Sequence, residues 1–305
     1  MKRRVTPPVF RWFALADFVA MILIIATGAA VRLTGSGLGC PDWPACFQHQ
    51  LTPAWSFHPW IEFGNRLVTG SLVVVTAVVF IAALMRTPRR RDLVLGSGLL
   101  VVGVFADALL GAIVVYTKLN PYLVALHLIL SLGMVVVAAV NYHRSKYLYD
   151  AEHPGIVRNP HYLFAARSLW FFLGLALVAG TATTGSGPHA GNFSGQTIAR
   201  RLPFALQNAT WVHSLAAMFF VAVVTGLLLA VWKSPAPVAL QKGVRRLVVI
   251  SSAQALIGMA QYLTHLPALL VELHVLGAVS LTIGVTQFHL KLTSREREPG
   301  TRRSV

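Results

Sequence analysis

Charge is scarce in this sequence, and acidic charge is scarcest. Lys, Arg, Asp and Glu make up 12% of 305 residues, and only ten of these side chains are acidic. A soluble globular chain carries about 25% charged residues, so an ordinary water-facing surface is excluded. Cysteine is nearly absent, with two residues, which by themselves make a poor metal site. Long polar stretches are missing as well. The longest connections between apolar runs have about 25 residues, below the usual size of a soluble domain. A cleavable leader is not expected. The first apolar run follows a basic start but lacks a small-residue cleavage site and exceeds the length of a signal-peptide core, so it reads as a retained helix.

What the sequence has in quantity is apolar side chain, 55% of residues, with a mean hydropathy of +0.65. A bilayer span takes about 20 mostly apolar residues. Eight such runs are present, at about 11–33, 62–85, 93–115, 122–141, 165–183, 209–231, 245–263 and 269–290. The expected fold class is all-α and integral to the membrane, with eight transmembrane helices.

The formal charge of +16 would suggest nucleic acid in a soluble protein. Here the basic residues fall in alternate loops, so topology accounts for them. Lys2, Arg3 and Arg4 precede span 1, and Arg86, Arg89, Arg90 and Arg91 separate spans 2 and 3. Arg144, Lys146, Arg158 and Arg167 separate spans 4 and 5, and Lys233, Lys242, Arg245 and Arg246 separate spans 6 and 7. Lys291, Arg295, Arg297, Arg302 and Arg303 form the tail. The positive-inside rule puts these segments and both termini in the cytoplasm of a cell membrane. Arg200 and Arg201, in the third outer loop, are the exception.

Cys40 and Cys46 lie in Cys-Pro-Asp-Trp-Pro-Ala-Cys, in the first outer loop. An oxidising outer compartment favours a disulfide. A redox-active pair and a share in a metal site are the alternatives.

The chain repeats itself. Sliding Ala106–His127 onto Ala253–His274 matches ten of 22 positions without a gap: Ala106/Ala253, Ala108/Ala255, Leu109/Leu256, Gly111/Gly258, Thr117/Thr264, Leu119/Leu266, Leu123/Leu270, Val124/Val271, Leu126/Leu273 and His127/His274. Thr34-Gly35-Ser36-Gly37 after span 1 matches Thr184-Gly185-Ser186-Gly187 after span 5. Two tandem four-helix bundles follow, residues 1–150 and 151–305. An even number of spans per half gives both the same orientation, with a pseudo-twofold axis along the membrane normal. Position alone then pairs Asn65 with His213.

His127, His213 and His274 each lie four to six residues into an even-numbered span, within roughly 10 Å of the outer boundary. Buried polar groups at such depth face a bundle interior. His213 and His274, on facing helices, suit both axial positions of a haem iron. Taken singly, such a histidine more often hydrogen-bonds a neighbouring helix. His143, His153 and His161 in the inner loop, His289 near the end of span 8, and His49, His58, His189 and His265 at the outer edge read as ordinary or solvated.

Glu62 and Asn65 share a helix face, and Arg66 is four residues from Glu62. The pair reads either as an interfacial ion pair or as a carboxylate beside a first-half cofactor, carrying a proton or stabilising charge. Thr210 replaces Glu62 in the second half, so the halves have diverged. Asp107 and its repeat partner Gln254 read as interhelical hydrogen-bond partners. Glu272 points to a different face from His274. Arg32 suits a propionate or a headgroup.

These residues resemble the haem A synthase family over essentially the whole chain. The resemblance rests on Arg32-Leu-Thr-Gly-Ser-Gly-Leu-Gly-Cys-Pro-Asp-Trp-Pro, Trp60-Ile-Glu-Phe with Arg66-Leu, Leu119-Asn-Pro with Ala-Leu-His127, Trp211-Val-His213 and Glu272-Leu-His274. It implies a haem b between His213 and His274, the substrate haem O at His127, a cysteine pair at Cys40 and Cys46, and a role in the oxidation for Glu62. The commoner family motif reads Glu-x-x-His, and this chain has Asn65 at that histidine. One reading leaves His127 the sole protein ligand of the substrate iron, with the opposite face open to oxygen. The other is a variant site with weaker haem binding. The implied activity is oxidation of the haem O C8 methyl to a formyl group by successive hydroxylations, giving haem A for cytochrome oxidase. The partners expected are haem O, the lipid bilayer, a haem O synthase, an electron donor without a motif in this chain, and a second copy in a homo-oligomer. Two other classes fit part of the pattern. A b-type electron-transfer cytochrome would use His213 and His274 without touching the ring. A transporter would explain the duplication, but the spans lack mid-membrane breaks.

Overall fold

The structure is a computed structural model that describes residues 4–47, 50–53, 55–148, 160–191, 199–233 and 236–293. Lys2, Arg3, Arg158, Arg295, Arg297, Arg302, Arg303, His49 and His153 lie outside the described residues. Eight helices are described: α1 Pro7–Leu33, α2 Phe57–Met85, α3 Arg91–Tyr116, α4 Pro121–Ser145, α5 Pro160–Ser186, α6 Leu206–Lys233, α7 Val238–Leu263 and α8 Ala268–Thr293. All eight are long and apolar enough to cross a membrane. At 1.5 Å per residue they run about 38–44 Å, longer than the roughly 30 Å hydrocarbon core. The expected spans therefore extend by a turn or so at their ends.

Helix packing has the same pattern in the two sets of four helices. In one half α1 touches α2, α2 touches α3, α3 touches α4, and α4 closes back on α1. In the other, α5, α6, α7 and α8 close the same ring. Between halves, α4 meets α8, while α1 packs on α8 and α4 on α5. Exchanging each helix with the one four places along maps this contact set onto itself, as a twofold through the α4–α8 contact requires.

The turn chemistry repeats as well. Lys118 and Leu119 have φ of 54° and 60°, and His265 and Leu266 both have 62°. These are the same positions of the repeat. Left-handed backbone is unfavourable for side-chain-bearing residues, so this shared pair marks a specific connector. In each, the second residue's N–H reaches back five positions, Leu119 to Val114 O at 2.9 Å and Leu266 to Gln261 O at 2.7 Å. Proline follows both turns. Asn120 additionally caps α4, its side chain accepting from Tyr122 N at 3.0 Å.

Each half has its own apolar core. Met21, Ile25, Leu72, Leu100, Val104 and Val135 fill the first, and Leu169, Leu173, Phe220, Val224, Leu247 and Val285 the second. Val279 of α8 joins the first cluster and Leu177 borders both, which ties the halves together. Large apolar side chains also point outward, Leu95 and Phe164 each 73% exposed, as a lipid-facing wall requires.

At the end bearing the N-terminus, two basic loop residues do more than set topology. Arg86 is 2% exposed and donates to Pro88 O, Tyr147 O and Leu148 O. Arg90 pairs with Asp92 at 2.5 Å and donates to Arg144 O and Tyr147 O. Both guanidinium groups thus satisfy carbonyls at the exit of α4. Burial first, and then the charge of Arg90, hold Arg86 below its usual pKa, with Asp92 opposing.

Candidate functional site

At the other end of the bundle, Cys40 and Cys46 are joined in a disulfide, and both are fully buried. Their loop closes over the first turns of α2. Glu62 Oε2 accepts the Cys40 N–H at 2.8 Å, and Glu62 Oε1 accepts from Arg66 at 2.6 Å. Arg66 also donates to Asp42 O at 2.8 Å, Ala45 O at 3.0 Å and Cys40 O at 2.9 Å. The loop is wrapped around one guanidinium. The ion pair expected from the sequence exists, but it does not snorkel to headgroups: Glu62 is 5% exposed.

The three histidines stand at matching heights. His127 and His274 each lie six residues past the first residue of their helix, and His213 lies seven past. His213 and His274 face each other across the second bundle, with ring centroids 6.0 Å apart at an interplanar angle of 71°. Two imidazoles binding one iron through bonds of about 2 Å need a gap of this order. His213 Nδ1 lies 2.8 Å from Ala176 O. Donation to that carbonyl fixes the tautomer and leaves Nε2 free to ligate. Among the described residues no three His, Cys, Asp or Glu side chains gather as a metal cluster. Two histidines with no third protein ligand form a donor set for haem, whose ring supplies the remaining ligands. The second half therefore fits the group.

In the first half, His127 Nδ1 lies 2.7 Å from Asp107 Oδ1, and Asp107 Oδ2 accepts from Ser131 Oγ at 2.6 Å. The His127–Asp107 approach is ion-pair close but off the ring's N–H axis, so neither atom has an aligned hydrogen bond. Asn65 Oδ1 accepts from the Thr27 hydroxyl at 2.7 Å. An amide so held turns its NH₂ away from Thr27 as a remaining donor.

One construction underlies all four positions. Each odd helix presents a glycine beneath the next helix's polar residue: Gly28 under Asn65, Gly111 under His127, Gly180 under His213 and Gly258 under His274. Four residues before three of these glycines sits the polar partner, Asp107, Ala176 O and Gln254. In the fourth, Thr27 beside Gly28 takes that part. Gln254 Nε2 donates to His274 O at 2.9 Å, and His274 Nδ1 is buried without a partner. The sequence comparison placed Asp107 and Gln254 as interhelical partners but missed what they meet. The matched Gly111 and Gly258 were the available signal.

Comparison with known proteins gives the family. A family model described as COX15-CtaA, cytochrome oxidase assembly protein, matches residues 11–286. The chain belongs to the COX15-CtaA family. Several curated relatives carry the name heme A synthase. That of Geobacillus kaustophilus is 34% identical over 105 residues, 34% of this chain and 33% of the relative. That of Lysinibacillus sphaericus is 31% identical over 141 residues, 45% of this chain and 46% of the relative. That of Shewanella oneidensis is 30% identical over 152 residues, 44% of this chain and 45% of the relative. The chain thus spans a third to just under half of the curated relatives it matches.

Not every residue expected at a site of this COX15-CtaA protein lines one. Arg32 donates through Nε to His189 O at 2.8 Å and through a terminal nitrogen to Thr184 O at 2.9 Å. It bridges the halves. His189 is not simply solvated, since its Nε2 lies 2.8 Å from Leu266 O. His58 meets Ser36 Oγ at 3.0 Å.

Proposed function

We propose that this chain is a haem A synthase, an oxidoreductase that converts the C8 methyl of haem O to a formyl group. The single observation that carries the proposal is the pairing, within one duplicated frame, of a two-histidine site with a site that has one histidine and an asparagine. Two strong axial ligands favour electron transfer, and an open axial position favours oxygen chemistry. A b-type cytochrome would use the two-histidine site and leaves the one-histidine site without a purpose.

In this reading residues 151–305 hold haem b between His213 and His274, and residues 1–150 hold haem O at His127. Haem b, when bound, supplies one-electron redox chemistry. Each hydroxylation takes one oxygen atom from dioxygen with two electrons and two protons, and the other atom leaves as water. The second hydroxylation yields a geminal diol, which loses water to give the aldehyde. The protein orients the substrate and places charge. Both oxygens of Glu62 are engaged, by Arg66 and by Cys40 N–H, which holds the carboxyl group in one orientation beneath the disulfide loop. Asn65, its oxygen engaged by Thr27, would offer its amide donor to the substrate site. In this reading the protein lies in the cell membrane with both termini cytoplasmic, as the alternating basic loops favour. A haem O synthase delivers the apolar substrate and a separate donor supplies electrons.

Haem extraction and chromatography test this, in cells that make haem O, with and without the protein and with Glu62→Ala. Haem A or a hydroxylated haem is expected only with the intact protein, and Glu62→Ala is expected to lose it while keeping haem b. Bound haem b beside unchanged haem O, despite an electron supply, would instead indicate the electron-transfer cytochrome.

A further inference from the structure

The four glycine-backed positions differ in what stands behind the ligand ring. His213 Nδ1 meets a neutral carbonyl, Ala176 O. His274 Nδ1 has no partner, because the Gln254 amide goes to the main-chain oxygen instead. His127 Nδ1 alone faces a carboxylate, Asp107 Oδ1 at 2.7 Å, and Asp107 is 7% exposed and steadied by Ser131. The repeat makes this a specific difference: Asp107 corresponds to Gln254, and Ser131 to Ala278. Only the first half has both the carboxylate and the hydroxyl that orients it.

We propose that Asp107 is a positioning residue that makes His127 a stronger iron donor than either histidine of the second half. The proposal rests on the reading that His127 takes the substrate haem. A carboxylate behind a ligating imidazole raises its basicity and fixes its orientation. A more basic axial ligand stabilises ferric iron, so the two halves hold their irons at different potentials. Gly111 makes room for this: a Cβ there would still lie 3.5 Å from His127 Cε1, so the ring can turn into line with the carboxylate.

The test uses the full-length protein in lipid nanodiscs loaded with protohaem. The ferrous iron–histidine stretch and the midpoint potential of each haem are read in wild type, Asp107→Asn and Ser131→Ala. His127→Ala identifies the first-half signal. Second-shell partners typically change a site by about 10–100-fold. Asp107→Asn is therefore expected to move the first-half reduction equilibrium about tenfold toward ferrous, which is about 59 mV for one electron, and to lower the stretch. Ser131→Ala should move both the same way by less. The second-half potential should stay fixed and serve as the fold control. If the signal vanishes in His127→Ala yet stays put in Asp107→Asn and Ser131→Ala, the role of Asp107 is refuted while the haem site stands. If His127→Ala keeps both haems, the ligand reading itself fails and Asp107 falls with it. Should Asp107→Asn not accumulate, Ser131→Ala decides, movement supporting the proposal and no movement overturning it.

Discussion

Adding one methyl group at each of the four glycines should discriminate sharply between the halves. An alanine Cβ at Gly180 would lie 3.1 Å from His213 Cε1 and 3.2 Å from Nδ1. At Gly258 it would lie 3.1 Å from His274 Cε1, at Gly111 3.5 Å from His127 Cε1, and at Gly28 4.0 Å from Asn65 Oδ1. Carbon contacts are most favourable at about 3.5–4.0 Å. The second-half variants therefore press on the rings, whereas the first-half ones only touch. His213 cannot retreat without stretching its 2.8 Å contact to Ala176 O. Losing that hydrogen bond costs about 1 kcal/mol, and overpacking adds about 1–3 kcal/mol. At Gly180 at least about 2 kcal/mol of haem binding is at stake, near thirtyfold in affinity; at Gly258, where His274 has no such hydrogen bond, overpacking alone contributes about 1–3 kcal/mol. The helix-propensity gain of alanine, about 1 kcal/mol, is common to all four variants and cancels in the comparison. Haem retention against apomyoglobin, with absorbance reporting transfer, measures the effect. Gly180→Ala and Gly258→Ala should release haem b readily, and Gly111→Ala and Gly28→Ala should match wild type within about threefold. Equal retention in all four, or a larger loss at Gly111 than at Gly180, would refute the packing account.

Two further outcomes follow from contacts at the same end of the bundle. Arg32→Ala removes two charged donors from carbonyls of the other half, each worth about 1.5–3 kcal/mol, so thermal unfolding in detergent should show a loss near 3 kcal/mol. Unchanged stability with weakened haem binding would restore the propionate role. Asn65→His places an imidazole where Gly28 leaves 4.0 Å of clearance. It should convert the first-half haem to a six-coordinate low-spin spectrum, and a wild type already low-spin at that haem would contradict an open position.

Much of this architecture was legible because membrane helices must satisfy their own backbone and expose apolar surface. Length and hydropathy therefore found all eight, short only at the ends, where Pro7 and the Arg86–Arg90 loop set limits that hydropathy does not sense. The repeat was legible where single residues of distinctive type match in one register, Gly111/Gly258 and His127/His274. The pairing of Asn65 with His213 rested on position, and the structure sets a glycine of the preceding helix beneath each. Arg32 was not legible: a charge near a helix end fits a headgroup, a propionate or a carbonyl equally well, and only the third loop's path decides. The sequence flagged Glu62 and Arg66 as a pair. It could not show that their true partner is the disulfide loop, since backbone N–H and C=O groups carry no sequence signature.

The left-handed pairs at Lys118–Leu119 and His265–Leu266 act as a gauge. From each, eight residues of chain lead to a histidine, and the count is the same in both copies. One residue inserted there would raise the ring by 1.5 Å and swing it by about 100° around the helix axis, out of the bundle altogether. The first half has meanwhile gained residues elsewhere, since Thr34 and Thr184 are 150 apart while His127 and His274 are 147 apart. Natural length variants should therefore accumulate in the long loops and in the connection after α2, and spare these two turns. Descent with modification can rework what surrounds each histidine, while the height at which its ring stands is inherited.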